Sequence, residues 1–125
     1  MSVAYIDTSC LVAIAFSERG ATAIERRLNE FDELVSANLL EAEIRCAFKR
    51  ERVEFAADTV AGLSWLIPDR PLTDEITRVL DVSYVRGAHC WHLATALFLA
   101  EPSSLAFLTL DDTQRKAAIA LGFMV

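Results

Sequence analysis

Two short apolar stretches, VAYID at residues 3–7 and LAFLTLDD at residues 105–112, decide the fold of this chain. Both consist mainly of apolar residues, with β-branched and aromatic side chains among them, and each is stopped by an aspartate. Apolar runs of this length are typical of strands that are buried on both faces, as in parallel sheets. We therefore expect two interior strands, at residues 3–6 and 105–110.

The rest of the sequence alternates helical patterns with short strand patterns. Asn38 and Thr73 stand where helix caps are expected, whereas Gly20, Gly87 and Pro102 interrupt or end helices. Helices are predicted at residues 9–16, 21–29, 39–52, 55–65, 74–84, 89–100 and 113–121, and further strands at 33–36 and 123–125. This alternation predicts an α/β fold with a central, mainly parallel sheet and helices on both faces.

The length of 125 residues is typical of a single domain, which we assign to residues 1–125. The chain has 12 basic and 18 acidic residues, a net charge of −6. This balance excludes a nucleic-acid binder that works by overall positive charge, but not an enzyme that reaches phosphates through a bound cation. No run approaches the roughly 20 apolar residues of a membrane span. The start shows no signal-peptide pattern.

The cysteine pattern indicates a reducing compartment. Cys10, Cys46 and Cys90 are widely spaced, form no CxxC pair and have apolar neighbours. We therefore expect buried, reduced thiols and a cytoplasmic protein.

Two aspartates follow the two decisive strands. Asp7 ends the first and Asp111 ends the second. Because ligands of open α/β sheets bind beyond the carboxyl ends of the strands, these carboxylates are candidate site residues. Aspartate is also common as a helix N-cap, and the pattern alone leaves both interpretations open.

The helix predicted from Asn38 adds a third acid. Its apolar stripe faces the core, Glu41 is placed to pair with Arg45 one turn later, and Glu43 falls on the other flank. A partly desolvated carboxylate needs a partner. Arg50 is one candidate, and a cation shared with the two aspartates is the other. Oxygen ligands of this kind suit Mg²⁺ or Mn²⁺.

The helix predicted at 89–100 is apolar nearly all round and should be buried. His89 and His92 lie three residues apart on it and share a face. Because no second Cys/His cluster exists, a structural zinc site is not expected. We expect His92 to be buried and hydrogen-bonded to backbone.

Four motifs together resemble the PIN domain, and more narrowly the VapC-type ribonuclease toxins of toxin–antitoxin pairs. They are YIDTSCLVA, EIRCAFKRE, RGAHCWHLATAL and FLTLDDTQRKAAIALGF, and they cover essentially the whole chain in the family's order. The resemblance implies a three-layer α/β/α fold. It also implies an endoribonuclease that cleaves single-stranded RNA with water activated by Mg²⁺ or Mn²⁺, a homodimer, and a small antitoxin protein as partner.

The resemblance also assigns roles to individual residues. Those matching the family's acids, which would be catalytic and bind the metal, are Asp7, Glu43 and Asp111. Asp112 matches an accessory acid. The matching hydroxyl positions that would support the site are Thr8, Ser9 and Thr109.

One position departs from the family pattern, which usually has Asp where this chain has His89. Three readings stay open: reduced or altered activity with three carboxylates, His89 as a ligand that favours Mn²⁺, or an inactive site in a protein that acts through antitoxin binding or self-association. A phospho-receiver signalling domain is a more distant alternative. The basic residues that could guide RNA, or simply form solvated faces, are Arg45, Lys49, Arg50, Arg52 and Arg86.

Overall fold

Four parallel strands form the central sheet of the computed structural model, which describes residues 1–125. The strands are β1 (Val3–Ile6), β2 (Glu33–Ala37), β3 (Leu63–Leu66) and β4 (Ala106–Leu108), in the order β3-β2-β1-β4. The decisive stretches are thus neighbours, with Tyr5 in register with Phe107. The expected C-terminal strand is reduced to one parallel bridge, between Ala106 and Met124.

Six helices cover the two faces of the sheet. They are α1 (Thr8–Ala15), α2 (Ala21–Leu28), α3 (Leu39–Arg50), α4 (Thr73–Val82), α5 (Gly87–Leu99) and α6 (Asp112–Leu121). Two 3₁₀ turns lie at Ala57–Thr59 and Pro102–Ser104. One core joins the sheet to α4–α6, and a second joins its other face to α1–α3. The prediction of a three-layer α/β/α fold is confirmed.

Strand β1 shows how one sequence serves two cores. Successive side chains of a strand point to opposite faces. Tyr5 accordingly packs in the core under α4–α6, where its ring stacks on Phe107 at 5.1 Å, whereas Ala4 and Ile6 belong to the core under α1–α3. All three are fully buried, which explains why the strand is apolar throughout.

The helix predicted at 55–65 is wrong. This segment contains only the turn Ala57–Thr59, and its end forms strand β3, which pairs with β2 over four residues. Gly62 weakens a helix at the end of this segment. Backbone pairing with β2 and packing of Leu63 and Trp65 against the α1–α3 core decide the outcome.

Several smaller expectations also differ from the structure. Cys10 and Cys90 are buried free thiols, but Cys46 is exposed on α3. Helix α4 already includes Thr73, which therefore does not cap it, and Asn38 makes no capping hydrogen bond with its side chain. No helix has the length and apolar character needed to span a bilayer.

Candidate active site

The candidate site lies where the strand order reverses. From β1 the chain proceeds to β2 and β3 on one side and finally to β4 on the other, so the carboxyl ends of β1 and β4 border a switch point, the usual ligand position in such sheets. Asp7 directly follows β1, and its backbone N–H donates to the Leu108 carbonyl at 3.3 Å. Asp111 follows β4 by three residues.

Asp7 is buried and surrounded by hydrogen-bond donors. It is 3% exposed and is the N-cap of α1, with Oδ1 accepting from the backbone N–H and the hydroxyl of Ser9. The hydroxyl of Thr109 donates to Oδ2. Burial raises the pKa of Asp7 above its ordinary value, although the bonds from Ser9 and Thr109 act in the opposite direction.

The two hydroxyl groups also join the ends of β1 and β4. Ser9 Oγ accepts from the Leu110 backbone N–H at 2.9 Å, and Thr109 Oγ1 accepts from the Asp111 backbone N–H at 3.0 Å. Each hydroxyl therefore donates to Asp7 and accepts from the chain after β4. These contacts give the predicted supporting positions Ser9 and Thr109 a concrete structural role.

Glu43 projects from α3 and is held by two donors. Thr8 Oγ1 lies 2.7 Å and His92 Nε2 lies 2.8 Å from the same oxygen, Oε1. Arg50 is therefore not its partner, which corrects one of the two expectations for this acid. Burial acts to raise the pKa of Glu43, but the bonds from His92 and Thr8 outweigh it and hold this pKa below its ordinary value.

His92 was expected to bond to backbone, and this expectation is wrong. Its side chain is buried, and both ring nitrogens contact side chains: Nδ1 lies 2.7 Å from Tyr5 Oη, and Nε2 faces Glu43. The sequence showed that His92 is in a buried helix. It could not show the partner, because Tyr5 and Glu43 lie 87 and 49 residues away in the chain.

Asp111 caps α6 and is half-buried. Its Oδ1 accepts from the Gln114 backbone N–H at 2.8 Å, and Oδ2 has no hydrogen bond. Asp7 and Asp111 are thus both helix caps, as one of the two sequence interpretations held. Capping occupies only part of each carboxylate and is compatible with a ligand role. Asp112 is exposed in the first turn of α6.

Two open depressions meet at Asp111. The first, of about 520 Å³, is lined by Glu43, Asp111 and the predicted supporting residues Thr8 and Ser9, together with Glu18, Arg19 and Arg50. The second, of about 430 Å³, contains Arg86, His89 and Asp111, with Tyr84 at its side. Sequence reasoning missed Glu18 and Arg19, because they lie in the α1–α2 loop, where no periodicity signals a position.

The predicted RNA-contacting residues separate into two groups. Arg50 and Arg86 line the depressions beside the acids, and neither forms an ion pair. Arg45 pairs with Glu41 at 2.9 Å, as predicted, and lies over the Phe55 ring. Lys49 and Arg52 border a separate depression. The structure therefore brings two of the five basic residues to the acids.

The donor set fits a hard divalent cation with partial protein coordination. No three side chains of His, Cys, Asp or Glu are grouped closely enough to enclose a metal ion, so the three-carboxylate cage is not assembled. However, Oε2 of Glu43 and Oδ2 of Asp111 carry no hydrogen bond, and both residues line one depression. Mg²⁺ usually binds through one or two carboxylates and completes its shell with water and substrate phosphate.

Comparison with known proteins identifies the family. The PIN domain model matches residues 4–120, nearly the whole chain. No curated protein and no solved structure shows a match. The receiver-domain alternative does not fit, because that doubly wound fold has the strand order 2-1-3-4-5. PIN domains are generally metal-dependent nucleases. The extent of the match, together with the all-parallel three-layer architecture, shows that this chain belongs to the PIN domain family.

Proposed function

We propose that this protein is a divalent-metal-dependent endoribonuclease that cleaves single-stranded RNA and serves as the toxin of a toxin–antitoxin pair. The observation that carries the proposal is the depression at the carboxyl edge of the sheet. There, unbonded carboxylate oxygens of Glu43 and Asp111 lie beside the unpaired guanidinium groups of Arg19 and Arg50. This combination suits a phosphodiester that approaches together with a cation.

Mg²⁺ or Mn²⁺, when bound, would supply positive charge at the scissile phosphate and lower the pKa of a water molecule. Glu43 and Asp111 would hold the cation through their unbonded oxygens. Asp7 would be the third catalytic acid and lies at the neighbouring strand end. Burial raises its pKa, and hydrogen bonds from Ser9 and Thr109 keep it oriented.

The basic residues would position the strand on both sides of the acids. Arg19 and Arg50 would contact phosphates in the first depression and Arg86 in the second, while Asp111 stands between them. The net charge does not oppose this. Without Asp7, Glu43, Asp111 and Asp112, the remaining 14 acids face 12 bases, a balance of −2.

The toxin assignment rests on the VapC-like motifs and includes two protein partners, a second copy of the chain and a small antitoxin. Exposed apolar side chains offer contact area for them, among them Tyr84 at 85% exposure beside the second depression. An antitoxin segment there would block the route to Asp111. A neighbouring gene that encodes a small DNA-binding protein would support this part of the proposal.

Cleavage of an RNA panel tests the nuclease proposal. The wild-type protein should cleave in Mg²⁺ or Mn²⁺ and lose activity with EDTA, and Asp7→Asn should be inactive. The matched control is Asp32→Asn, which makes the same chemical change just before β2. Asp32 lies at the amino ends of the strands, away from the acids. Cleavage that persists in EDTA, or in Asp7→Asn, would contradict the proposed mechanism.

A second candidate is a catalytically impaired PIN protein that acts by binding the antitoxin or itself. Two observations favour it: His89 stands where the family usually has Asp, and three metal-binding side chains are not grouped together. His89→Asp distinguishes the candidates. Restored Mg²⁺-dependent cleavage in this variant, from an inactive wild type, would identify an impaired enzyme. An active wild type would exclude that candidate.

A further inference from the structure

A buried chain of hydrogen bonds runs from β1 through α5 to α3. Tyr5 Oη lies 2.7 Å from His92 Nδ1, and His92 Nε2 lies 2.8 Å from Glu43 Oε1. Tyr5 and His92 are at most 1% exposed, so water does not compete for the bond between them. The chain begins deep in the core and ends at the wall of the candidate site.

The hydrogen bond from the neighbouring backbone suits one arrangement of the protons. The N–H of Ala37 donates to Tyr5 Oη at 3.1 Å, so the hydroxyl proton is free to point at His92 Nδ1. In this arrangement Nδ1 accepts from Tyr5, and the ring, assigned as the tautomer with its proton on Nε2, donates to Glu43. The phenol keeps its proton, because burial raises the pKa of Tyr5 far above its ordinary value.

The same chain connects the two helical layers. Tyr5 packs in the core under α4–α6, and His92 belongs to α5, whereas Glu43 belongs to α3 on the other face of the sheet. His92–Glu43 is the one side-chain hydrogen bond between α3 and α5. Tyr5 stacks on Phe107 of the neighbouring strand β4. The chain of hydrogen bonds therefore anchors Glu43 to the sheet.

We propose that Tyr5 and His92 are positioning residues, which hold Glu43 so that it offers a single oxygen to the cation. Oε1 accepts from both Thr8 and His92, and only Oε2 is left free at the depression. The inference rests on the proposed function, because it assigns a role in metal binding to the chain of hydrogen bonds from Tyr5 through His92 to Glu43, which we call the tether. Hydrogen-bonded partners of ligating groups typically change metal affinity or activity by about 10- to 100-fold.

Two amide substitutions of His92 separate positioning from folding. In His92→Gln the amide nitrogen reaches about as far as Nε2 and can still donate to Glu43. In His92→Asn the amide reaches only as far as Nδ1, so it can bond to Tyr5 but not to Glu43. Mn²⁺ affinity should be measured by calorimetry on the folded protein without RNA. We expect His92→Asn to lose about 10- to 100-fold in affinity and His92→Gln to lose much less. Equal affinities in both variants and the wild type would overturn the proposal.

Tyr5→Phe removes the hydroxyl group at the buried end of the chain of hydrogen bonds and keeps the ring in place. It should weaken Mn²⁺ binding less than His92→Asn, and lower kcat at saturating RNA more than it changes KM. Thr95→Val is the matched control: Thr95 is buried on α5 and bonds only to the Trp91 carbonyl, so Mn²⁺ affinity should not change. If Tyr5→Phe and Thr95→Val alter affinity equally, the tether has only a structural role.

The two proposals fail in different ways. A wild-type protein that cleaves RNA with Mn²⁺, but whose His92→Asn variant binds Mn²⁺ unchanged, keeps the nuclease function and loses the positioning role. A wild-type protein that binds no Mn²⁺ and cleaves nothing overturns both.

Discussion

The two halves of the candidate site hold their carboxylates by different means. At the strand ends, Asp7 is buried among hydroxyl and backbone donors, and its pKa is raised. Between the helices, Glu43 is more accessible and accepts from a histidine and a threonine, and its pKa is lowered. Burial therefore prevails at one acid and hydrogen bonding at the other. The site combines one carboxylate that resists ionisation with one that favours it.

Removal of either carboxylate should have the largest effect, and α3 provides the control. Glu43→Gln should reduce cleavage by more than about 100-fold, since even the loss of an outer hydrogen-bonding partner typically costs 10- to 100-fold. Glu41→Gln alters an acid two positions away that is bound to Arg45, and should cleave normally. Initial rates in Mn²⁺ at equal protein concentration measure the difference. Equal losses in both variants would remove Glu43 from the site.

Removal of a supporting hydroxyl should cost stability in the strand-end half. Thr109→Val keeps the shape but leaves Asp7 Oδ2 and the Asp111 N–H without their partner. We expect the free energy of unfolding to fall by about 1–3 kcal/mol, as for other unsatisfied buried groups. Denaturant unfolding measures this change. The exposed Thr77→Val, on α4, should change stability by much less.

The opposite pKa directions predict opposite effects on stability. The pKa of Asp7 is raised from an ordinary 3.8, so its stabilising contribution is present below that pH and is lost as the pH rises through the folded-state pKa. The pKa of Glu43 is lowered from 4.5, so its contribution is present above that pH and is lost on acidification. At pH 7, without metal, Asp7→Asn should therefore raise the free energy of unfolding and Glu43→Gln should lower it.

Denaturant unfolding between pH 3 and pH 7 checks this pair. Both differences from the wild type should shrink towards acidic pH, because both acids are then increasingly protonated in the folded and the unfolded chain. The same sign for both variants at pH 7 would show that one of the two directions is wrong.

The smallest effect is expected at the basic residues beside Glu43. Arg50→Ala should weaken single-stranded RNA binding a few-fold and reduce the salt dependence by about 0.7, the value for one phosphate contact. Arg45→Ala should leave the salt dependence unchanged, because this side chain is engaged by Glu41 and Phe55. Fluorescence anisotropy at several salt concentrations separates the two. Identical slopes in both variants would argue against Arg50 as a phosphate contact.

The same contrast explains how much of the site could be predicted. Asp7 and Asp111 each end an apolar strand, and the meeting of strand ends at one edge follows from parallel topology alone. The partners of Glu43 could not be found in this way. The helical period showed its flank, but Thr8 and His92 come from other elements, 35 and 49 residues away. A histidine in an apolar helix carries no sign of the partner it will meet.

The fold shows a similar limit. The strands β1, β2 and β4 have apolar patterns that identify them, whereas β3 is specified mainly by its pairing with β2. An alanine-rich segment before Gly62 favoured a helix on local grounds, and the available sheet edge outweighed that preference. Arg19 was missed for a related reason, because a loop residue is placed by its neighbours and not by a period.

The contact of the last residues with β4 has a practical consequence. Gly122 ends α6 with a φ of 99° and turns the chain back, so that Phe123 packs near Phe107 and the Met124 carbonyl accepts from the Phe107 N–H at 2.7 Å. These residues fasten the strand that leads to Thr109 and Asp111. We expect a purification tag fused behind Val125 to disturb this contact, whereas Met1 is 96% exposed. Assays of this protein should therefore use material tagged at Met1.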